Sequence, residues 1–285
     1  KKWLAEEVGA TTKKLLEKDA QYFLHQALST PCMDVLADAQ GPFITNTSGK
    51  NYFDFHGNNV HQLGFSHPKL IEALKNQLDQ LTFSTRRYTN ETAIHFAEKL
   101  TSLTPGLDKI LMTPNGSSAI GIALKLSRAV TGKYKVVSFW DSFHGASLDV
   151  VSVSGESVFR EHMGPLMPGV ERIPPPITYR GIYENNEDKA IEYLEYILAK
   201  DNQIGAFLAE TVRNTDAQIP SKKFWKAARA LCDQYGVLLI LDEIPIALGR
   251  TGKLFAYEHF DIIPDILCLG KGLGGGIIPQ AAIVT

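Results

Sequence analysis

A lysine between glycines, Lys271, is the residue in this sequence best placed to do covalent chemistry. It follows the apolar run Asp265-Ile-Leu-Cys-Leu269 and precedes Gly272-Leu-Gly-Gly-Gly276. Glycines there allow the backbone to pass close to a flat ligand. A partly desolvated lysine amine is neutral often enough to attack an aldehyde cofactor. Taken alone, the same pattern also fits a surface lysine in a flexible glycine loop.

Three other groups occur at comparable points in the chain. Asp242 ends an apolar run. A carboxylate at this position can keep the pyridine nitrogen of the aldehyde cofactor pyridoxal 5'-phosphate (PLP) protonated. A structural carboxylate or a helix cap also fits the pattern. Asn115-Gly-Ser-Ser118 lies where a strand meets a long helix, and a helix N-terminus can bind phosphate, although any serine-rich cap has this composition. Phe143, in Phe143-His-Gly145, can stack on a flat ring or pack in a core.

Alternating strands and helices are predicted to place these groups at one edge of a sheet. The predicted strands cover 109–112, 134–140, 204–209, 237–241 and 265–269, and the predicted helices cover 116–129, 190–199 and 222–235. Ligands of such α/β sheets bind beyond the carboxyl ends of the strands. The combination of phosphate loop, aromatic ring, aspartate and lysine therefore favours one PLP site. A last strand is predicted at 281–285, and further polypeptide is expected after it.

The rest of the chain shows other patterns. Helical periodicity runs over residues 3–30, 68–80 and 91–103, and two short strands are expected within 42–55, around a turn at Ser48-Gly49. Residues 170–188 contain three consecutive prolines and are expected to form a long surface excursion.

The composition is that of an ordinary globular protein. The 285 residues are 44% hydrophobic and 21% charged, with a formal net charge of -2, so neither nucleic acid nor an acidic membrane is expected as a partner. No apolar run is long enough to span a bilayer. Cys32, Cys232 and Cys268 are widely spaced, which predicts buried thiols in a reducing compartment, a cytoplasmic location and no metal site.

The ordered motifs from about Tyr52 to Thr285 resemble the class III (ω-) aminotransferases, which are fold-type I PLP enzymes. The matching stretches are Gly64-Phe-Ser-His-Pro68, Asn115-Gly-Ser-Ser-Ala-Ile-Gly-Ile-Ala-Leu-Lys-Leu-Ser-Arg128, Phe143-His-Gly145, Glu210-Thr-Val212, Leu241-Asp-Glu-Ile244, Gly249-Arg-Thr-Gly252 and Gly270-Lys-Gly272. The resemblance implies an α/β fold with a mainly parallel sheet sandwiched by helices and a small N-terminal α+β segment. It further implies a small-domain segment at 1–57 and a large PLP-binding domain at 58–285, the C-terminal part of the small domain lying outside this sequence.

The resemblance also implies a role for each matching site residue. Lys271 and Asp242 are the catalytic residues: Lys271 holds PLP as a Schiff base, and Asp242 pairs with the pyridine nitrogen. Gly116 and Ser117 hold the phosphate, and Phe143 stacks on the ring. Members of the family are homodimers with active sites at the subunit interface, so a homodimer is expected.

Several positions near the expected cofactor depart from the family pattern. Asp242-Glu-Ile-Pro245 replaces Asp-Glu-Val-Gln, Gly116-Ser-Ser-Ala-Ile120 replaces Gly-Ser/Thr-Glu-Ala-Asn, Glu210-Thr211 replaces Glu-Pro, and Phe143 replaces the usual tyrosine. These changes favour altered chemistry over an altered substrate alone. The runs Asn115-Gly-Ser-Ser-Ala-Ile-Gly121 and Asp242-Glu-Ile-Pro245 resemble a subgroup of ammonia-lyases that acts on (R)-1-hydroxy-2-aminoethylphosphonate in phosphonate breakdown and yields phosphonoacetaldehyde.

A phosphonate substrate needs cationic groups, and guanidinium groups suit it best. Arg86, Arg87 and Arg213, with Glu210 close to Arg213, are the candidate substrate-binding residues, and surface or salt-bridging arginines are the alternative. His61 and His144 are possible proton donors to the leaving hydroxyl, although a structural role is favoured for each and most of all for His144, which directly follows the aromatic residue. Two other functions stay open: an ω-aminotransferase of a small amine or amino acid, and a catalytically silent PLP-fold binding protein.

Overall fold

The computed structural model describes residues 8–25, 32–177, 179–184 and 186–285. Contacts between Cα atoms group the chain into two compact units, Lys1–Thr82 and Phe83–Thr285. The domain boundary that the family resemblance implies after residue 57 refers to the complete family fold, and it stays a prediction.

The first unit is a small α+β segment with a three-stranded antiparallel sheet of order β1-β2-β3. Its elements are α1 (Ala10–Tyr22), β1 (Leu36–Gln40), β2 (Phe43–Asn46), β3 (Asn51–Phe53) and α2 (Pro68–Gln80). The turn predicted at Ser48-Gly49 is confirmed: Gly49 is left-handed, with a φ of 81°, and the Asn46 side chain accepts hydrogen bonds from the amides of Ser48 and Lys50. Of the helix predicted over 3–30, residues 3–7 and 26–30 lie outside the described residues.

The second unit is built on a seven-stranded sheet of order β4-β10-β9-β8-β7-β5-β6. Its strands are β4 (Ile110–Thr113), β5 (Lys135–Phe139), β6 (Val170–Ile173), β7 (Ile204–Glu210), β8 (Leu238–Asp242), β9 (Ile266–Leu269) and β10 (Ala281–Val284). The pairs β6-β5, β5-β7, β7-β8 and β8-β9 are parallel, whereas β10 is antiparallel to both β9 and β4. The mainly parallel sheet is therefore confirmed.

Helices cover both faces of this sheet. They are α3 (Glu91–Leu103), α4 (Gly116–Thr131), α5 (Leu148–Val153), α6 (Ser157–Arg160), α7 (Asp188–Lys200) and α8 (Lys222–Tyr235). Alternate residues of β7 divide between two buried clusters: Leu208 belongs to the cluster that contains Ile120 of α4, and Phe207 belongs to the one that contains Trp225 of α8. Each large apolar side chain buried in this way contributes about 1.5–3 kcal/mol. Because successive strand residues face opposite sides, the all-buried strand β7 requires both helical layers.

Two expectations from the sequence are wrong. Val170–Ile173 lies in the predicted surface excursion but forms the edge strand β6. Its backbone is hydrogen-bonded by parallel pairing with β5. The strand was not predicted because Glu171 and Arg172 make the run polar. Cys32 is exposed in the segment before β1, whereas Cys232 and Cys268 are buried as predicted. Among the described residues, no helix is long and apolar enough to cross a membrane.

Candidate active site

The groups predicted to form a site lie at one edge of the sheet. Asp242 is the last residue of β8, Lys271 comes two residues after β9, and Phe143 lies in the loop after β5. Strand β4 has the same direction as β9, since both are antiparallel to β10 between them. The loop from β4 into α4, which contains Asn115, therefore opens at the same carboxyl edge. This is the edge at which α/β sheets bind ligands.

Asp242 is held by a buried histidine. Its Oδ2 lies 2.8 Å from Nδ1 of His144, and its Oδ1 accepts a hydrogen bond of 3.0 Å from the amide of Ile244. Both side chains are almost fully buried, with exposures of 2% for each residue. Because a carboxylate accepts and does not donate, His144 carries its proton on Nδ1. The structural role weighed for His144 therefore fits the geometry, since its ring faces a carboxylate inside the protein.

A second buried carboxyl group, Glu210, fixes the loop that carries the aromatic ring. Its two oxygens accept hydrogen bonds of 3.0 Å from the amides of Phe143 and Asn214. Burial raises the pKa of Glu210, against the lowering effect of His144 and of these amides. The Phe143 ring lies 4.6 Å from the ring of Phe159, and the residue keeps 37% exposure, so part of it is accessible to a ligand.

The loop at the start of α4 packs tightly against its neighbours. The Asn115 side chain caps the helix by accepting from the amide of Ser118 at 2.9 Å. A Cβ atom at Gly116 would lie 2.9 Å from Cδ1 of Ile244, and one at Gly145 would lie 2.3 Å from Oγ of Ser117. These glycines allow three strand-end loops to meet, and the first amides of α4 have no acceptor within the helix.

Lys271 has an unusual backbone and an unusual amine. Its φ of 48° is left-handed, which costs a non-glycine residue roughly 1–3 kcal/mol and is found mainly at functional sites. Burial lowers the pKa of its amine, the charges of Asp242 and Glu210 act in the opposite direction, and Arg250 lowers it further. A lowered pKa leaves more of the amine neutral, which is the form that acts as nucleophile and base.

The candidate substrate-binding residues lie in two places. Arg86 and Arg87 are exposed in a turn before α3, and among the described residues no hydrogen bond or ion pair joins them to Lys271. Arg213 is 2.6 Å from both Glu156 and Asp216, and its side chain is 13% exposed. Glu210 holds two backbone amides, as described above. The substrate roles of these four residues stay predictions.

Two features of the site were missed by the sequence interpretation. The first is the pairing of His144 with Asp242, which depends on residues 98 positions apart in the chain. The second is a hydrogen bond of 2.9 Å from the Thr211 hydroxyl to Oε1 of the buried Glu243. The sequence signal for the second was the hydroxyl residue at a position where the family usually has proline.

The fold is that of PLP-dependent aminotransferases of fold type I, and the chain belongs to the class-III aminotransferase family, which its residues 26–285 match. It is 52% identical over its full length to (R)-1-hydroxy-2-aminoethylphosphonate ammonia-lyase of Vibrio splendidus, of which it covers 63%. It is 36% identical over 87% of its length to acetylornithine aminotransferase of Methanopyrus kandleri, of which it covers 61%.

Among solved structures, the chain is similar to taurine:2-oxoglutarate aminotransferase from Bifidobacterium kashiwanohense, in complex with PLP and glutamate. The TM-score is 0.89 at 26% sequence identity, and the match covers 98% of this chain and 66% of the other. The chain thus spans about two thirds or less of the length of these relatives.

Proposed function

We propose that this protein is a PLP-dependent ammonia-lyase that converts (R)-1-hydroxy-2-aminoethylphosphonate to phosphonoacetaldehyde and ammonia in phosphonate catabolism. The observation that carries the proposal is the 52% identity to the Vibrio splendidus enzyme, which extends over the whole chain and so includes every site residue described above. The aminotransferases compared are more distant, at 36% identity or less.

The residues at the sheet edge fit PLP. The buried Asp242, oriented by His144, is placed to hold a protonated pyridine nitrogen. Gly116, Ser117 and Gly145 lie where neighbouring loops pack too closely for a Cβ atom at either glycine, and this position is at a helix N-terminus suited to phosphate. Phe143 is partly exposed and so accessible to a flat ring, and Lys271 offers an amine with a lowered pKa for the aldehyde.

When bound, PLP supplies an electron sink for the carbon that bears the substrate nitrogen. The chain contributes the proton transfers. The Lys271 amine removes a proton from that carbon, and loss of the hydroxyl group from the neighbouring carbon follows. The water lost in this step returns when the nitrogen is removed by hydrolysis, so the net products are phosphonoacetaldehyde and ammonia. Because ammonia leaves, a lyase needs no keto acid as second substrate.

The departures from the family pattern support elimination over amino transfer. Pro245 is buried and has no donor where the family has a glutamine, and Thr211 bonds the buried Glu243 where the family has a proline that cannot donate. Ile120, by contrast, is fully buried in the core beneath α4. That departure changes packing, whereas Pro245 and Thr211 change the polar groups and so favour altered chemistry.

A single assay separates the two enzymatic functions. The intact protein with PLP and the aminophosphonate, but without any keto acid, is expected to release ammonia and phosphonoacetaldehyde in equal amounts over many turnovers. Lys271→Ala is expected to lower the rate by about 10²–10⁴-fold or more, because 10²–10⁴-fold is typical of the loss of an acid–base group. Lys223 is exposed, and Lys223→Ala is the control that is expected to behave as wild type.

A requirement for pyruvate or 2-oxoglutarate would contradict the lyase and favour an ω-aminotransferase of a small amine or amino acid, which the 36% identity to an acetylornithine aminotransferase supports as the second candidate. PLP binding without any turnover would favour a silent binding protein. The presence of both Lys271 and Asp242 in one site argues against that last function.

A further inference from the structure

Three carboxyl groups meet where β7 and β8 end. Glu210 and Asp242 are opposite each other in the register of these two parallel strands, and Glu243 follows Asp242 directly. All three are at most 5% exposed. Asp242 faces His144, whereas Glu243 faces the turn at 255–257 on the other side of the sheet. Burying so many carboxyl groups is stable only where each has hydrogen-bond donors.

Glu243 is bound by three donors. Its Oε2 accepts from the amide of Ala256 at 2.7 Å, and its Oε1 accepts from the amide of Tyr257 at 2.7 Å and from the Thr211 hydroxyl at 2.9 Å. Thr211, like Glu243, is fully buried. Two of the donors come from backbone and are independent of side-chain identity. The third depends on the residue at position 211.

Of the three donors to Glu243, the Thr211 hydroxyl is therefore the one that a substitution can remove. A proline at this position, as in the usual Glu-Pro pattern, has neither a hydroxyl nor an amide hydrogen to donate. Thr211 joins the end of β7 to Glu243, whose backbone amide in turn donates to the carbonyl of Cys268 on β9 at 3.0 Å. The hydrogen bond therefore ties the strand ends on both sides of Asp242 together.

We propose that Thr211 is a positioning residue: its hydroxyl completes the binding of the Glu243 carboxylate and thereby fixes the end of β8, from which Asp242 reaches the cofactor. The inference rests on the proposed function for its link to PLP, because Asp242 acts on that cofactor. The link to Glu243 stands on the contacts alone.

The charges around Glu243 give this bond a measurable pH dependence. The pKa of Glu243 is raised from 4.5 to about 7, chiefly because the group is buried; the charge of Asp242 acts in the same direction, and the three donors act against it. Burial, together with the charges of Glu243 and Glu258, raises the pKa of Tyr257 to about 12, so its phenol stays neutral. Glu210 lies on the neighbouring strand. A raised pKa means that the contribution of Glu243 to stability is complete below pH 4.5 and is lost as the pH rises through 7.

The test compares Thr211→Val, which keeps the shape and removes the hydroxyl, with Thr211→Ser, which keeps the hydroxyl. Loss of a hydrogen bond to a carboxylate is expected to raise the pKa of Glu243 by about one further unit. Urea unfolding is then measured in the protein without PLP. Relative to wild type, Thr211→Val should increase the unfolding equilibrium constant by about tenfold more at pH 8.5 than at pH 5.5. Thr211→Ser should show no such pH dependence, and Glu243→Gln should abolish it for Thr211→Val.

The second readout is the affinity for PLP, titrated into the same proteins at pH 8.5. Thr211→Val is expected to bind PLP about tenfold more weakly than wild type, and Thr211→Ser is expected to restore binding. A loss of stability that is equal at both pH values, or a serine variant that behaves as valine, would reduce Thr211 to a packing residue and overturn the proposal. An unchanged PLP affinity in Thr211→Val would overturn its positioning role. Failure of wild type to bind PLP would instead refute the proposed function, and the unfolding data alone would then decide the Thr211–Glu243 link.

Discussion

At the scale of single residues, the site depends on polar groups that are buried in pairs. Asp242 has His144, Glu210 has two amides, and Glu243 has Thr211 and two amides. Each partner removes part of the cost of burying a carboxyl group, which is high when the group lacks donors. Each pair also gives its carboxyl group one orientation, which a ligand site requires.

Replacing His144 by phenylalanine tests the first pair. The ring size is kept, but the buried carboxylate of Asp242 loses a donor, which costs about 1–3 kcal/mol of stability. We expect a lower urea midpoint for the protein without PLP and an affinity for PLP reduced by about tenfold or more. His259→Phe is the matched control, because His259 is exposed and bonds only Thr251 in the described residues. Equal behaviour of the two variants would refute the role of His144.

At the scale of the elements, the site requires close approach of loops from three strands. Gly145 illustrates this, because its φ of 137° disfavours other residues and a Cβ atom there would lie 2.3 Å from Oγ of Ser117 and 2.9 Å from Val150. We expect Gly145→Ala to weaken PLP binding by about tenfold or more, since Ser117 must move, and to lower stability by roughly 1–3 kcal/mol.

Gly132→Ala provides the control for this prediction. Gly132 is also left-handed, with a φ of 67°, but a Cβ atom there meets nothing within 4 Å. The backbone cost is then present without the contact at the site, so stability should fall while PLP affinity stays as in wild type. Fluorescence titration with PLP distinguishes the two variants, and equal affinities would show that the loop around Gly145 adapts.

The sequence predicted elements well where the local signals agree. Helix α8 was predicted at its observed bounds, because Ser221 caps its first turn and Gly236 ends it in a left-handed conformation. Strands β1 and β6 were missed. Strand β1 is short, contains two alanines, an aspartate and no β-branched residue, and Glu171 and Arg172 interrupt the apolar pattern of β6. Their existence depends on pairing with neighbouring strands, which periodicity does not reveal.

The same distinction holds for the site. Lys271 and Asp242 were predicted to lie at one edge because each follows an apolar run, and strand direction then determines where they meet. Their hydrogen-bond partners could not be predicted in this way. His144 reaches Asp242 only because β5, β7 and β8 are adjacent in the sheet, which is a property of strand order and not of spacing.

At the scale of the whole molecule, we propose that the intact protein is a homodimer with the site near the interface. Leu111 and Met112 on the edge strand β4 expose 46% and 44% of their surface, which is unusual for two successive apolar residues of a strand. We expect sedimentation equilibrium to give twice the mass of one chain at micromolar concentration. A monomer under those conditions would contradict the proposal.

The position of β10 has a consequence for the order in which this chain assembles. Within the described residues, β4 has β10 as its sole neighbour in the sheet, and β10 comes about 170 residues later in the chain. During synthesis, the parallel strands β5 to β9 can pair as soon as they leave the ribosome. Strand β4, and with it the expected phosphate loop, must wait for the arrival of β10. Such a long-range contact is slow to form, so the ability to bind the cofactor is expected to be among the last properties that the nascent chain acquires.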